Sequence, residues 1–138
     1  MATLLYVDDE PTIGRAVGRW FERRGHVVHL ARSILEAQDM LLDLTPDALF
    51  IDVWLGTESG FELMSWIEDS RPQLADRVIF VTGELVDTHN VDAGRLWQTL
   101  GRPVLQKPFD FAQLEAFTQT ALAAQRGAGL DAQRGAGT

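Results

Sequence analysis

The side chains of this chain that could perform chemistry lie at or just after the ends of short apolar stretches. They are three carboxylates, one hydroxyl and one ammonium group: Asp8, Asp9, Asp52, Thr82 and Lys107. Carboxylates that are crowded together need a cation nearby, or the pKa of one of them must be raised. Hydroxyl and ammonium groups can bind the oxygens of an anion. The set therefore indicates a site that a divalent metal and a phosphoryl group share.

The apolar stretches predict five buried strands. They are expected at residues 4–7, 26–31, 48–53, 77–82 and 104–106. Continuous runs of β-forming residues without a helical period are typical of a parallel sheet that is covered on both faces. Because the carboxyl ends of parallel strands share one edge, where open α/β sheets bind ligands, the five side chains are expected to meet there.

Amphipathic helical patterns alternate with these strands. Helices are predicted at residues 11–24, 34–44, 60–70, 90–100 and 111–124. Ser33 and Ser59 are each followed three residues later by Glu, which is typical of a capping box at a helix start, and Asp110 is expected to cap the last helix. Five βα units with right-handed crossovers predict an α/β fold, a doubly wound five-stranded parallel sheet with helices on both faces.

Composition excludes several classes of function. The chain has 138 residues, of which 46% are hydrophobic, so it can bury the core of one domain. A net charge of −8 disfavours binding to nucleic acid or to an anionic membrane. There is no cysteine, which rules out disulfides and thiolate sites. Without a signal peptide pattern or a membrane-length apolar run, a cytoplasmic location is predicted.

The chain changes character after residue 124. The sequence Gln-Arg-Gly-Ala-Gly occurs at residues 125–129 and again at 133–137, in a Gly- and Ala-rich segment with little to bury. Residues 1–124 are therefore predicted to form one domain, and residues 125–138 a flexible tail.

Taken singly, each candidate residue has an ordinary structural explanation. An Asp after a strand is usually a turn former or a helix cap, a Thr is usually a β-former, and a Lys is usually a solvated charge. The order and placement of all five together are hard to reach by chance, and they favour a functional site.

Four segments carry a resemblance to a known family. Val7-Asp8-Asp9-Glu10, the lone Asp52, Val81-Thr82-Gly83 and Gln106-Lys107-Pro108-Phe109 resemble the receiver domain of two-component response regulators. The resemblance covers residues 4–124 and implies a flavodoxin-like sheet in the strand order 2-1-3-4-5. The details are most similar to receivers attached to hybrid sensor kinases, whereas this domain is interpreted as standing alone.

The resemblance implies a metal site. Asp9 and Asp52 would ligate Mg²⁺ directly, together with the backbone carbonyl of Trp54, and Asp8 would act mainly through bound water. Two carboxylates and one carbonyl are an ordinary set for Mg²⁺, which prefers oxygen ligands and keeps several waters.

The resemblance also implies roles in phosphoryl transfer. Asp52 would be the phosphoacceptor that attacks a phosphohistidine on a partner kinase. Lys107 would pair with a phosphoryl oxygen, Thr82 would donate its hydroxyl to another, and the backbone N–H of Gly83 could add a further donor. A cis peptide bond between Lys107 and Pro108 is expected from the same resemblance.

The chain departs from the family pattern at three positions. Val104 stands where an aromatic residue often takes part in the switch, so a different readout is predicted. A polar loop is predicted at residues 55–58, and Gly56, which replaces a common Pro four residues after Asp52, is expected to loosen it. Trp54 is bulky for its position, and the hypothesis is that Trp54, with Glu84 opposite, controls the access of water to the phosphoaspartate.

The predicted function is that of a single-domain response regulator. It would not be an enzyme but a phosphoacceptor that assists its own phosphorylation and dephosphorylation. Its partners would be a sensor histidine kinase or a histidine phosphotransfer protein in a phosphorelay, a downstream protein target, and a second copy of the chain as a further candidate. Two alternatives stay open: an Mg²⁺-dependent phosphatase or phosphotransferase with an Asp nucleophile, and an interaction module that is not phosphorylated.

Overall fold

The structure is a computed structural model that describes residues 2–83, 101–107 and 109–136. The helix predicted at residues 90–100, Glu84 and Pro108 lie outside these residues. In chain order the elements are β1 (Thr3–Val7), α1 (Pro11–Glu22), β2 (Val27–Ala31), α2 (Ile34–Leu41), β3 (Ala48–Asp52), β4 (Trp54–Leu55), β5 (Glu58–Ser59), α3 (Gly60–Ser70), a 3₁₀ helix (Pro72–Arg77), β6 (Val78–Thr82), β7 (Val104–Gln106) and the C-terminal helix (Phe111–Ala136).

Five parallel strands form the central sheet, in the order β2-β1-β3-β6-β7. The short strands β4 and β5 pair only with each other, so this order is the predicted 2-1-3-4-5 and the flavodoxin-like prediction is confirmed. The register aligns the strand ends, because Val7 pairs with Ile51 and Thr82 pairs with Gln106. Residues that follow these strands are therefore brought to one edge of the sheet.

Two apolar cores lie on opposite faces of the sheet. Leu5 and Phe80 belong to the core that α2 and α3 cover, whereas Tyr6 and Phe50 belong to the core that α1 and the C-terminal helix cover. Neighbouring residues of β1 point to opposite faces because side chains alternate along a strand. All five residues of β3 are buried, as expected for the central strand of a sheet with helices on both faces.

The side chains of Ser33 and Ser59 cap the N-termini of α2 and α3. At α2 the Ser33 Oγ accepts from the Glu36 N–H at 3.2 Å, and the Glu36 carboxylate accepts from the Arg32 N–H at 2.7 Å. At α3 the Ser59 Oγ accepts from the Phe61 N–H at 3.2 Å. The capping box predicts that Ser59 accepts from the N–H three residues later. The observed donor, Phe61, lies one residue earlier, and the side chain of an N-cap residue can bond to either position.

A β-hairpin replaces the polar loop that the sequence predicts after β3. Trp54 pairs with Ser59, and Leu55 pairs with Glu58, in antiparallel register. Gly56 begins the two-residue turn with a φ of 66°. Tight hairpin turns favour a positive φ at this position, and glycine adopts it without steric cost. Proline, with its φ near −65°, could not take the place of Gly56 in this turn.

Several helix ends differ from the prediction. Helix α1 ends at Glu22 rather than at residue 24, and α2 ends at Leu41 rather than at residue 44. The C-terminal helix is capped as predicted, since the Gln113 N–H donates to Asp110 Oδ1 at 2.9 Å, but it continues to Ala136. Ala, Gln and Arg have high helix propensities, which offset the glycines. The division into residues 1–124 and 125–138 stays a prediction.

No helix within the described residues combines the length and the apolar character needed to cross a lipid bilayer.

Candidate functional site

A polar cleft of about 390 Å³ opens at the edge of the sheet where the strands end. It is lined by residues at or just after the ends of β1, β3, β6 and β7, including Asp8, Asp9, Asp52, Trp54, Gly83 and Lys107. Four of the five predicted site residues therefore line one cleft. Thr82 lies at the same edge and is fully buried.

Asp52 is held in place by two donors. It is the last residue of β3, and its side chain is only 8% exposed. The Trp54 N–H donates to Asp52 Oδ1 at 3.1 Å, and Lys107 Nζ donates to Asp52 Oδ2 at 2.7 Å. The strand end itself is fixed by the Val53 N–H, which donates to the Val81 carbonyl at 2.9 Å. Asp52 is thus an aligned carboxylate beside the Lys107 ammonium.

Asp8 accepts from three donors. Its side chain is 1% exposed. The Glu10 N–H donates to Oδ1 at 2.9 Å, while Lys107 Nζ and the Tyr6 hydroxyl donate to Oδ2 at 2.9 Å and 3.3 Å. Lys107 therefore bridges two buried carboxylates that come from separate strands.

Asp9 is exposed and completes an acidic group that suits a metal ion. One carboxylate oxygen from each of Asp8, Asp9 and Asp52 lies within 4.8 Å of the others. An all-oxygen donor set is what Mg²⁺ prefers, so the residues fit the predicted ion. The direct roles of Asp9 and Asp52, the indirect role of Asp8 and the part of the Trp54 carbonyl stay predictions.

Burial raises the pKa of Asp52 to about 6, although the hydrogen bond and charge of Lys107 and the Trp54 N–H act to lower it. The charge of Asp8 adds to the increase. Burial also lowers the pKa of Lys107, but its hydrogen bonds and charge contacts with Asp52 and Asp8 outweigh burial and leave the pKa raised. At neutral pH the site therefore holds a charged ammonium beside a largely ionised Asp52.

Lys107 and Thr82 are joined through the backbone. The Lys107 N–H donates to the Thr82 carbonyl at 2.8 Å, which continues the pairing of β6 with β7. Gly83 packs against this segment, since a Cβ atom built there would be in van der Waals contact with Lys107 Cβ at 3.4 Å. The Thr82 hydroxyl and the Gly83 N–H remain predicted donors to a phosphoryl group.

Two residues at the site were not identified from the sequence. A Cβ atom at Gly60 would overlap the backbone oxygen of Asp52, so only glycine lets α3 begin against the end of β3. Tyr6 reaches Asp8 through its hydroxyl. For Tyr6 a signal exists, because residues two apart on a strand share a face. The sequence offers no comparable signal for Gly60, since the overlap depends on packing.

Three comparisons relate the chain to known proteins. The family model described as the response regulator receiver domain matches residues 4–119. The chain is 32% identical over 126 residues to the response regulator Rre1 of a Synechocystis species, covering 90% of this chain. The match covers 53% of the length of Rre1, so this chain spans about half of that relative.

Solved structures are similar over nearly the whole chain. A response regulator receiver domain protein (CheY-like) from Methanospirillum hungatei has a TM-score of 0.77 and 21% identity, covering 93% of this chain and 98% of the other. A response regulator protein from Burkholderia pseudomallei, solved with a phosphorylated aspartic acid, calcium ion and citrate, has a TM-score of 0.70 and 25% identity. That similarity covers 95% of this chain and 75% of the Burkholderia chain.

Proposed function

The chain belongs to the family of response regulator receiver domains, and we propose that Asp52 is the residue that accepts the phosphoryl group. One observation carries the proposal: Lys107 Nζ lies 2.7 Å from Asp52 Oδ2, beside the acidic group of Asp8, Asp9 and Asp52. The site thus combines an aligned carboxylate nucleophile, oxygen ligands for a cation and a fixed positive charge. The phosphorylated aspartic acid of the similar Burkholderia protein supports the same chemistry.

The proposed reaction moves a phosphoryl group from nitrogen to oxygen. A carboxylate oxygen of Asp52 attacks the phosphorus atom of a phosphohistidine on the partner protein. As the new O–P bond forms, the P–N bond breaks and its electron pair returns to the imidazole nitrogen. The products are an acyl phosphate on Asp52 and a free histidine. Such transfers depend mainly on positioning and on stabilisation of charge.

Receiver domains bind Mg²⁺ at an acidic pocket, and the donor set of this cleft suits that ion. Asp9 and Asp52, with the Trp54 carbonyl, would hold the ion, and Asp8 would act through water. When bound, Mg²⁺ reduces the repulsion between the anionic carboxylate and the anionic phosphoryl group.

The chain's own residues supply orientation and positive charge. The Trp54 N–H holds one carboxylate oxygen of Asp52, which fixes the plane of the nucleophile. Lys107 stays protonated and pairs with a phosphoryl oxygen as a point charge. Thr82 donates its hydroxyl to another phosphoryl oxygen, which draws Thr82 toward the group and changes the surface nearby.

Receiver domains of response regulators interact with histidine kinases and with downstream targets. We propose that this chain receives its phosphoryl group from a sensor histidine kinase or a histidine phosphotransfer protein, and that it signals through contact with a protein target. A role in a phosphorelay and pairing with a second copy of the chain are proposed on the same basis.

The first test needs no partner. Purified protein is incubated with Mg²⁺ and acetyl phosphate, and its intact mass is measured. One added phosphoryl group per chain is expected, and it should be absent when EDTA removes the metal. An unchanged mass with acetyl phosphate and with phosphoramidate would contradict the proposal.

The affinity for Mg²⁺ is expected to fall as the pH is lowered through about 6. Burial raises the pKa of Asp52 to about 6, and a protonated carboxyl group is a poor metal ligand. Below that pH, each further unit should weaken binding by about tenfold, because binding then releases one proton. Calorimetric titrations between pH 8 and pH 5 measure this slope. In Asp52→Asn the Mg²⁺ affinity should depend less steeply on pH, because the contribution of Asp52 is removed. A wild-type affinity for Mg²⁺ that is constant between pH 8 and pH 5 would contradict the prediction.

Replacing Trp54 with Ala is expected to shorten the lifetime of the phosphorylated protein several-fold. Trp54 is 53% exposed and lines the cleft, where its bulky side chain restricts the approach of water. Decay of the phosphorylated species is followed by intact mass after removal of the donor. Leu42→Ala provides the control, because Leu42 is 70% exposed and lies just beyond the end of α2. Equal lifetimes for wild type and Trp54→Ala would remove the hypothesis.

A further inference from the structure

Asp8 is the most enclosed acid of the cleft, and it depends on Lys107. Its carboxylate is 1% exposed, so water has little access to satisfy it. Oδ1 is held by the Glu10 N–H, while Oδ2 receives Lys107 Nζ at 2.9 Å. A buried carboxylate oxygen that loses a charged donor is strongly destabilised unless another donor is within reach.

Phosphoryl transfer changes what Lys107 faces. Before transfer its ammonium bridges the carboxylates of Asp8 and Asp52. After transfer the Asp52 oxygen is part of an acyl phosphate, and about two negative charges lie on the phosphoryl oxygens instead. Lys107 is therefore drawn toward the phosphoryl group and away from Asp8 Oδ2.

The Tyr6 hydroxyl lies where it can replace Lys107 as the donor to Asp8 Oδ2. Its side chain is buried, its ring lies against Phe50 with the centroids 6.3 Å apart, and its hydroxyl donates to Asp8 Oδ2 at 3.3 Å. The separation is long for an O–H···O bond, as expected where Lys107 occupies the same oxygen at 2.9 Å. Hydrogen bonds of this kind commonly shorten once the reacting group is in place.

We propose that Tyr6 is a positioning residue that holds Asp8 Oδ2 when Lys107 moves to the phosphoryl group, an inference that rests on the proposed function. By keeping Asp8 satisfied, Tyr6 lowers the free energy needed to release Lys107. It also keeps Asp8 aligned as an acceptor for the water through which it would act. Tyr6 itself touches neither the phosphoryl group nor the reacting carboxylate.

A thermal unfolding cycle tests this role without metal or phosphodonor. Tyr6→Phe, Lys107→Met and the double variant are compared with wild type at pH 8. Because Tyr6 is the remaining side-chain donor to Asp8 among the described residues once Lys107 is replaced, Tyr6→Phe should lower the midpoint more in the Lys107→Met background than in wild type. An equal decrease in both backgrounds would overturn the proposal.

A second measurement follows phosphorylation and stands even if Lys107→Met does not fold. At saturating Mg²⁺ and acetyl phosphate, Tyr6→Phe should be phosphorylated about tenfold more slowly than wild type, since it lacks the hydrogen bond to the Asp8 carboxylate that compensates for Lys107 as Lys107 moves toward the incoming phosphoryl group. In an Asp8→Ala background the same substitution should have no further effect, because Tyr6 acts through Asp8. An equal rate for Tyr6→Phe and wild type would show a merely structural hydroxyl and would overturn the proposal.

Thr118→Val is the matched control. It also removes a fully buried hydroxyl, one that donates to the Leu114 carbonyl within the C-terminal helix, away from the cleft. It is expected to change the unfolding midpoint but not the phosphorylation rate. If wild type accepts no phosphoryl group, the proposed function is wrong and this inference falls with it. If wild type is phosphorylated and Tyr6→Phe matches it, only the inference is wrong.

Discussion

Asp52→Asn is expected to abolish phosphorylation of the protein. Asn has nearly the same shape and keeps an oxygen that can accept from the Trp54 N–H, so the local geometry should persist. The amide has no anionic oxygen to attack phosphorus, and the Lys107 ammonium loses one of its two carboxylate partners. With Mg²⁺ and acetyl phosphate, intact mass should show one added phosphoryl group in wild type and none in the variant.

The control for this experiment is Asp69→Asn, which makes the same substitution at an exposed position on α3. It should be phosphorylated at the wild-type rate. Peptide mapping after reduction of the acyl phosphate with borohydride identifies the modified residue. Phosphorylation of Asp52→Asn at the wild-type rate, or mapping to Asp8 or Asp9, would contradict the assignment of Asp52 as the acceptor.

Gly60→Ala is expected to have the largest effect on stability. The new Cβ atom would overlap the backbone oxygen of Asp52 and lie 3.0 Å from Ile51 Cγ2. Because the close atom belongs to backbone, α3 or the end of β3 must shift. Overpacking of this kind typically costs about 1–3 kcal/mol, which urea denaturation would measure as a lower free energy of unfolding. The phosphorylation rate should fall as well, because the shift displaces Asp52, the proposed phosphoacceptor.

Gly18→Ala separates this effect from the general effect of replacing a helical glycine. Among the described residues outside its own helix, no heavy atom lies within 4 Å of a Cβ atom built at Gly18 in α1. The substitution should therefore stabilise the protein by about 0.5–1 kcal/mol, through the gain in helix propensity. Equal free energies of unfolding for wild type and Gly60→Ala would show that the start of α3 is not tightly packed against β3.

The sheet and the location of the site were predictable because they depend on strong local signals. Apolar runs predicted the five strands of the central sheet, and parallel pairing then required residues such as Asp8, Asp52 and Lys107 to share one edge. The strand order itself does not follow from periodicity, and it was predicted through the family resemblance. The separation of Lys107 and Asp8 by 99 positions in sequence shows how much of the site depends on that order.

The features that sequence could not supply depend on close packing or on weak local preferences. The overlap at Gly60 arises only when α3 is placed against β3. The hairpin of β4 and β5 depends on a turn of two residues, and Gly56 had been interpreted as a looser loop instead. The length of the C-terminal helix depends on a balance between helix-forming and helix-breaking residues, and hydrophobic periodicity does not predict where that balance ends the helix.

The hairpin has a consequence for how a signal leaves the site. Trp54 pairs with Ser59, and Ser59 caps α3, so the segment directly after Asp52 is braced against a helix. A braced segment resists displacement, and its backbone geometry should be nearly the same before and after transfer. The phosphorylation signal is therefore expected to leave the site through Thr82 at the end of β6, rather than through the segment that follows Asp52.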